Sequence, residues 1–403
     1  MVNAGARGIA THESAMPIGV CTGAACRNTI GNRAIPSLPI HQPIAHAMKK
    51  PRSRPLRHLC GMAAGMLAAL ASLLASPAAL AQTKVTTLTV YTTLEKEQLA
   101  PYKQAFEKDH PDIRISWLRD SPGIILARLI AEKDAPKADL LWGVPAMHIL
   151  ALNKLGVIQP YQPQGYAQLK PRFRDSANNP PVYTGNEAWM TVICFNTVEA
   201  KKRNLPAPTS WADLAKPVYK GQITMPNPIS SQTGYLGVNR WVQGMGEEAA
   251  WKYMDSLHAN IALYTHSGSK PCKMAATGEY AVGISTDITG PQLKTKGAPI
   301  DIILPTDKLG WDLESTAIMK GTPNLAAAKV VADWTTTRAA NEQFNKFTAV
   351  VSHPEVHAVP PNYPENAEAM MADDDARKAV DNQARLSAEW ARRYDAKSEP
   401  KPN

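Results

Sequence analysis

Hydrophobic periodicity changes repeatedly along this chain, from every second position to helical spacing and back. Residues 85–91 alternate β-branched and polar positions and predict a strand. Residues 95–108 predict an amphipathic helix, with Thr92 and Thr93 ahead as caps and His110-Pro111 as a stop. Residues 113–117 predict a second strand. Ser121-Pro122-Gly123 then opens a helix over 124–133, with proline in its favoured early position. Residues 139–142 predict a third strand, which Gly143 leaves by a turn. Strand–helix–strand spacing of this kind predicts a parallel sheet covered on both faces.

Further on, 189–195 and 221–225 predict strands, the latter followed by a hydroxyl-rich turn and a helix to about 243. Residues 281–285 and 300–304 predict two more strands, and 326–337 a helix. Residues 373–397 predict a terminal helix, acidic at its start and basic near its end, as a helix dipole favours. Prolines between 160 and 228 separate apolar segments that keep returning, so they mark loops. No internal repeat is present.

One stretch fits none of this. Met48 begins a basic run to Arg57, an almost uncharged run covers 61–80, and Ala79-Leu80-Ala81 precedes Gln82. Basic, apolar and small-x-small segments in that order predict a secretory signal peptide cut after Ala81, with 1–47 a misannotated extension and the signal at 48–81. The leader also explains the charge. Of a formal +9, residues 1–81 carry +7, leaving 36 basic and 34 acidic residues beyond them. That balance removes the support for nucleic-acid binding. The remaining chain is long enough for two domains. It keeps two cysteines, Cys194 and Cys272, which export to an oxidising compartment allows to pair or to remain buried thiols.

Candidate chemistry lies in hydroxyls at strand-to-helix turns: Thr92 and Thr93, Ser121, the Ser230-Ser231-Gln232-Thr233-Gly234 run, and Ser267-Gly268-Ser269. A helix start presents unpaired N–H groups and partial positive charge, so hydroxyls there make an anion site. Simple capping accounts for most of them. Ser230, Ser231 and Thr233 before one helix exceed what a cap requires and suit phosphate or phosphonate. His266 lies beside one of these turns. Asp287 and, second, Glu314 are candidates for a cationic group, against a surface role for each. Trp142 and Trp311 are candidate platforms, against the core role they would share with Trp189. Enzyme signals are weak. Ser267-Gly268-Ser269-Lys270 matches Ser-x-x-Lys without a Lys-Thr-Gly partner, and the glycine pattern from Gly244 follows a helix rather than a strand. An enzyme is not expected, and neither is a cofactor.

The strings Tyr-Thr-Thr-Leu-Glu at 91–95, Ala-Asp-Leu-Leu-Trp-Gly at 138–143, Phe-Asn-Thr at 195–197 and Pro-Thr-Ser-Trp-Ala-Asp-Leu at 208–214 resemble bacterial extracellular solute-binding proteins of ABC importers. Within that group, Arg119-Asp120-Ser121, residues 225–231 and the run from Tyr264 to Cys272 are similar to 2-aminoethylphosphonate-binding proteins. The resemblance implies an α/β, two-lobed type II periplasmic-binding fold, with a ligand cleft between lobes joined by crossing strands. It implies lobe one at 82–193 plus 309–403 and lobe two at 194–308. It implies a periplasmic monomer that captures a small organophosphonate and delivers it to a membrane permease and, through it, an ATPase. Phosphate esters, thiamine or a polyamine are the alternative ligands. Ferric ion is last, because that branch uses adjacent tyrosines and none occur here, and no metal is expected. A secreted hydrolase is the alternative of another class.

Overall fold

The computed structural model describes residues 85–400; the expected signal segment and everything before it lie outside that range. The chain opens with β1 (Thr86–Thr92), α1 (Lys96–Asp109), β2 (Ile113–Arg119), α2 (Pro122–Ala131), β3 (Leu140–Pro145), α3 (Ala146–Lys154) and the short β4 (Ile158–Gln159). β1 lies between β2 and β3, parallel to both. Its alternation places Leu88 and Val90 with Ile113, Ile115, Tyr102 and Phe106 in one core. Tyr91 faces the other way, toward Ile125 and Leu129 of α2. The period-2 pattern thus buries one strand on both faces, between α1 and α2.

The next strand, β5 (Thr184–Asn196), is buried at every position. The second lobe follows with β6 (Ile223–Pro226), α4 (Gln232–Met245), α5 (Glu247–Asn260), β7 (Ile261–Thr265), α6 (Lys270–Thr277), β8 (Val282–Thr286) and β9 (Ile300–Ile303). The chain then returns as β10 (Trp311–Met319), followed by α7 (Leu325–Thr335) and the long terminal α8 (Ala376–Tyr394). The strand order is β2-β1-β3-β10-β5-β8-β6-β7. β5 joins the two lobes. Up to Met190 it pairs antiparallel with β10, and from Thr191 it pairs with β8 and then β9. The architecture is mixed α/β and two-lobed, with the cleft where β5 changes partners.

One segment departs from the expected division. The resemblance puts residues 309–403 together in lobe one, and β10 and α7 pack there, with Ile318 and Val331 in the core of Leu88 and Val90. α8 instead buries Leu386, Trp390 and Tyr394 in the core of Trp251 and Tyr264. The Trp390 and Tyr264 rings meet edge-on with centroids 4.7 Å apart. The C-terminal half of α8 finds its apolar surface on the second lobe. Its first half lies against α3 of lobe one, where Lys154 pairs with Asp381 and Gln383 reaches His148, so the helix spans both lobes. The glycine pattern from Gly244 is the sharp turn between α4 and α5, where Gly246 takes φ 82°.

Candidate functional site

Where β5 changes partners, loops from both lobes enclose a pocket of about 400 Å³, its mouth included. Lobe one supplies Thr93, Glu95, Arg119, Ser121 and Pro122, with Glu314 from β10. Lobe two supplies Ser231, Thr233, Ser267, Gly268, Thr286 and Ile288, and Trp189 of β5 lies between them.

Each wall is built locally. β1 ends at Thr92, whose Oγ1 accepts the Leu94 N–H at 3.2 Å and closes the turn. Thr93 Oγ1 donates to Gly143 O at 2.8 Å and lies 3.5 Å from Glu314 Oε2. Glu95 heads α1 in a reciprocal capping box with Gln98. Arg119 ends β2; its Nε donates to Leu94 O at 3.0 Å, and its guanidinium lies 3.7 Å from Glu95. Ser121 heads α2, with Pro122 first in the helix, and its hydroxyl makes no capping bond.

On the facing wall, Ser231 heads α4. Its Oγ is buried, makes no capping bond and has no hydrogen-bond partner. A buried hydroxyl left unpaired carries a free-energy penalty that a ligand acceptor would remove. It stands at the positive end of a 14-residue helix, beside N–H groups that lack intrahelical acceptors. Gly268 is required here. A Cβ on it would lie 2.4 Å from Thr233 Oγ1 and 3.0 Å from Ser231 Oγ, filling the space the hydroxyls face.

Electrostatics differ between the walls. Glu314 opposes Glu187 across the β10–β5 pair. Burial, then the charges of Glu187, Asp312 and Glu95, hold its carboxyl well above the usual range, with Thr93 opposing. Glu187 is pushed up to about 8 by burial, although Tyr102 and Gln98 donate to it. The lobe-one wall therefore carries a buried carboxyl with only one weak partner, and Arg119 is the guanidinium of the pocket.

Several sequence candidates lie elsewhere. Asp287 stands behind the pocket; its Oδ1 accepts the Met190 N–H at 2.8 Å and Oδ2 accepts the Tyr363 hydroxyl, so both oxygens are engaged. Burial pushes it up to about 6. Of the two acids ranked from the sequence, only Glu314, the second, lines the pocket, where it is joined by Glu95. Ser230 turns its hydroxyl to His266 O at 3.1 Å. His266 points its ring at Pro400 O. Ser269 donates to Glu95 Oε2 at 3.0 Å, which places it at the seam between the lobes. Thr92 is wholly buried. Trp142 packs among Tyr102, Phe106, Trp117 and Trp334 in the lobe-one core. Trp311 stacks under Arg172 and donates to Ala372 O at 2.7 Å, in a separate recess. Cys194 and Cys272 are joined as a disulfide, with Cα atoms 5.3 Å apart. Glu95, Arg119, Trp189, Gly268 and Thr286 were not among the sequence candidates. Among the described residues no group of three or more His, Cys, Asp and Glu is placed to hold a metal ion.

Two α/β lobes closing hydroxyls, a guanidinium and two carboxyls around a small cavity define a cleft-type binding protein. The chain belongs to the family of bacterial extracellular solute-binding proteins, which it matches over residues 135–379. It is similar to a probable ABC transporter periplasmic-binding protein, y4fP of Sinorhizobium fredii, at 27% identity over 62% of this chain and 69% of the relative. An uncharacterized protein of Haemophilus influenzae is 30% identical over 57% of this chain and 67% of the relative. The periplasmic binding protein AfuA of Actinobacillus pleuropneumoniae, solved with fructose-6-phosphate bound, superposes with a TM-score of 0.71. It is 27% identical and covers 77% of this chain and 99% of its own. The protein is the periplasmic solute-binding component of an ABC transporter, with a small-molecule ligand and a membrane permease as partners. Among the described residues no helix is long and apolar enough to cross a membrane.

Proposed function

We propose that the cleft captures a small organophosphoryl compound and hands it to the permease, with 2-aminoethylphosphonate as the lead ligand. The observation that carries the reading is Ser231, a buried hydroxyl without a partner at the start of α4, facing the same cavity as Arg119 and Glu314. The helix start with Ser231 and Thr233 takes the phosphonate, aided by Arg119 and Ser121 from the other lobe. Glu314 takes the ammonium. The protein works by binding rather than turnover, as a monomer. It is exported from Met48 and cut after Ala81, which N-terminal sequencing of periplasmic material tests.

A sugar phosphate is the second reading, favoured by the fructose-6-phosphate bound to AfuA. The phosphoryl site is common to both; Glu314 would then meet hydroxyls instead of an amine. Titration calorimetry with 2-aminoethylphosphonate, ethylphosphonate, fructose-6-phosphate and a polyamine decides. Tightest binding of 2-aminoethylphosphonate supports the first reading and of fructose-6-phosphate the second. Binding of the polyamine alone, or of none, overturns both.

A further inference from the structure

We propose that the segment after α8, residues 395–400, is a positioning element of the ligand site: it clamps together the two lobe-two loops that present hydroxyls to the cleft. The proposal rests on the assignment of that cleft as the ligand site. Residues 395–400 run beside β7. Ser398 bridges Tyr264 in parallel, and the Glu399 N–H donates to Tyr264 O at 2.9 Å. Lys397 pegs the segment down, donating to His258 O at 2.6 Å and Ile261 O at 2.7 Å.

From this track the segment reaches both loops. Asn227 Nδ2 donates to Asp395 Oδ1 at 3.1 Å and to Ser398 Oγ at 3.0 Å. The same Asn227 organises the turn before α4, accepting the Ile229 N–H on its side chain at 2.8 Å and the Ser231 N–H on its carbonyl at 2.9 Å. The other loop is held by Glu399. Its Oε1 accepts the His266 N–H at 2.5 Å, and its Oε2 pairs with Lys270 at the start of α6. Ser267 and Gly268 lie between those two anchors. One short segment therefore sets the spacing between Ser231 and Ser267, which belong to separate loops and face one ligand. None of its own residues lines the pocket. A tenth of a nanometre of drift in either loop would open the hydroxyl cradle, because hydrogen bonds weaken steeply with misalignment.

The test compares Glu399→Ala with Glu399→Gln in the full mature protein. Glutamine keeps an oxygen for the His266 N–H and loses only the charge pairing with Lys270. Two measurements are made: affinity by calorimetry for 2-aminoethylphosphonate and fructose-6-phosphate, and hydrogen exchange of the 266–269 amides without ligand. The alanine variant should bind about tenfold more weakly and exchange faster over 266–269, with glutamine restoring most of both. Unchanged exchange in the alanine variant overturns the clamp, and so does faster exchange with unchanged affinity. If the wild-type protein binds neither compound, the ligand reading falls. The exchange data then decide the clamp alone: acceleration by alanine and rescue by glutamine support it, and their absence overturns it.

Discussion

The amide of Gly123 donates to the carbonyl of Ser230 at 3.2 Å, so the starts of α2 and α4 touch across the cleft. Beside that bond, Ser269 of lobe two donates to Glu95 of lobe one. Ser231, Thr233, Thr93 and Glu314 are all buried. The structure is therefore a closed form, and ligand entry requires the two helix starts to part by a hinge motion.

Gly123 is the contact that sets how far the lobes close. A Cβ on it would lie 2.3 Å from Ile229 O and 3.0 Å from Ser230 Cα. Gly123→Ala should hold the cleft ajar and weaken ligand binding about tenfold or more, leaving the melting temperature of the ligand-free protein nearly unchanged. X-ray scattering under ligand saturation should give a larger radius for the variant. Superimposable saturated curves would refute the assignment.

Ser231 and Ser230 are adjacent and should behave differently. A neutral donor to an anion contributes about 1.5–3 kcal/mol, so Ser231→Ala should weaken phosphoryl binding about tenfold or more. Ser230→Ala should change affinity less than about threefold, since its hydroxyl serves His266 O. Equal losses in the two variants, read by calorimetry, would contradict the geometry.

Binding of an amine ligand beside Glu314 should release a proton. Burial and the neighbouring carboxylates raise the pKa of Glu314 and so favour the protonated form in the empty cleft, whereas an ammonium beside it favours the charged form. The observed heat should then vary with the ionisation enthalpy of the buffer. Ethylphosphonate, which lacks the amine, should release no proton and bind about a hundredfold more weakly. Glu314→Gln should narrow that gap, and buffer-independent heats with 2-aminoethylphosphonate would count against Glu314 as the amine partner.

The buried acids also give stability a pH signature. Burial raises Glu187 from 4.5 to about 8 and Asp312 from 3.8 to about 7. Between those limits the folded chain holds more protons than the unfolded one. Stability from these groups is therefore greatest in acid and falls as pH rises from 3.8 to about 8. Glu187→Gln should flatten the difference in melting temperature between pH 5 and pH 8. A variant with the wild-type slope would show that Glu187 does not titrate in this way.

How much of this was legible depended on whether burial agreed with residue type. β1, α1, β2 and α2 obey their periodicities, so pattern was sufficient for the elements, although Glu95 rather than Thr92 or Thr93 caps α1. β10 went unread because Asp312 and Glu314 interrupt its apolar run, yet both are buried in it. The same conflict marks the site, where function places polar groups inside. The Ser231 cluster was legible because its hydroxyls outnumber the needs of a cap. Arg119 was not, since only the pairing of β2 with β1 brings it to the cleft. Ranking Asp287 over Glu314 failed for a nonlocal reason, as Tyr363 lies 76 positions away and takes the Asp287 oxygen.

The bond between Cys194 and Cys272 ties the end of β5 to α6, and both residues are wholly buried among Ala275 and Ile300. Dissolved thiols cannot reach the sulfurs while that packing is intact. Reduction must wait for the second lobe to breathe, so the rate at which a mild reductant severs the bond is a clock for that motion. The first lobe has no such reporter, since no other cysteine lies within the described residues. The protein thus carries a built-in probe of one half of its hinge, and a ligand that quiets the cleft should slow the clock.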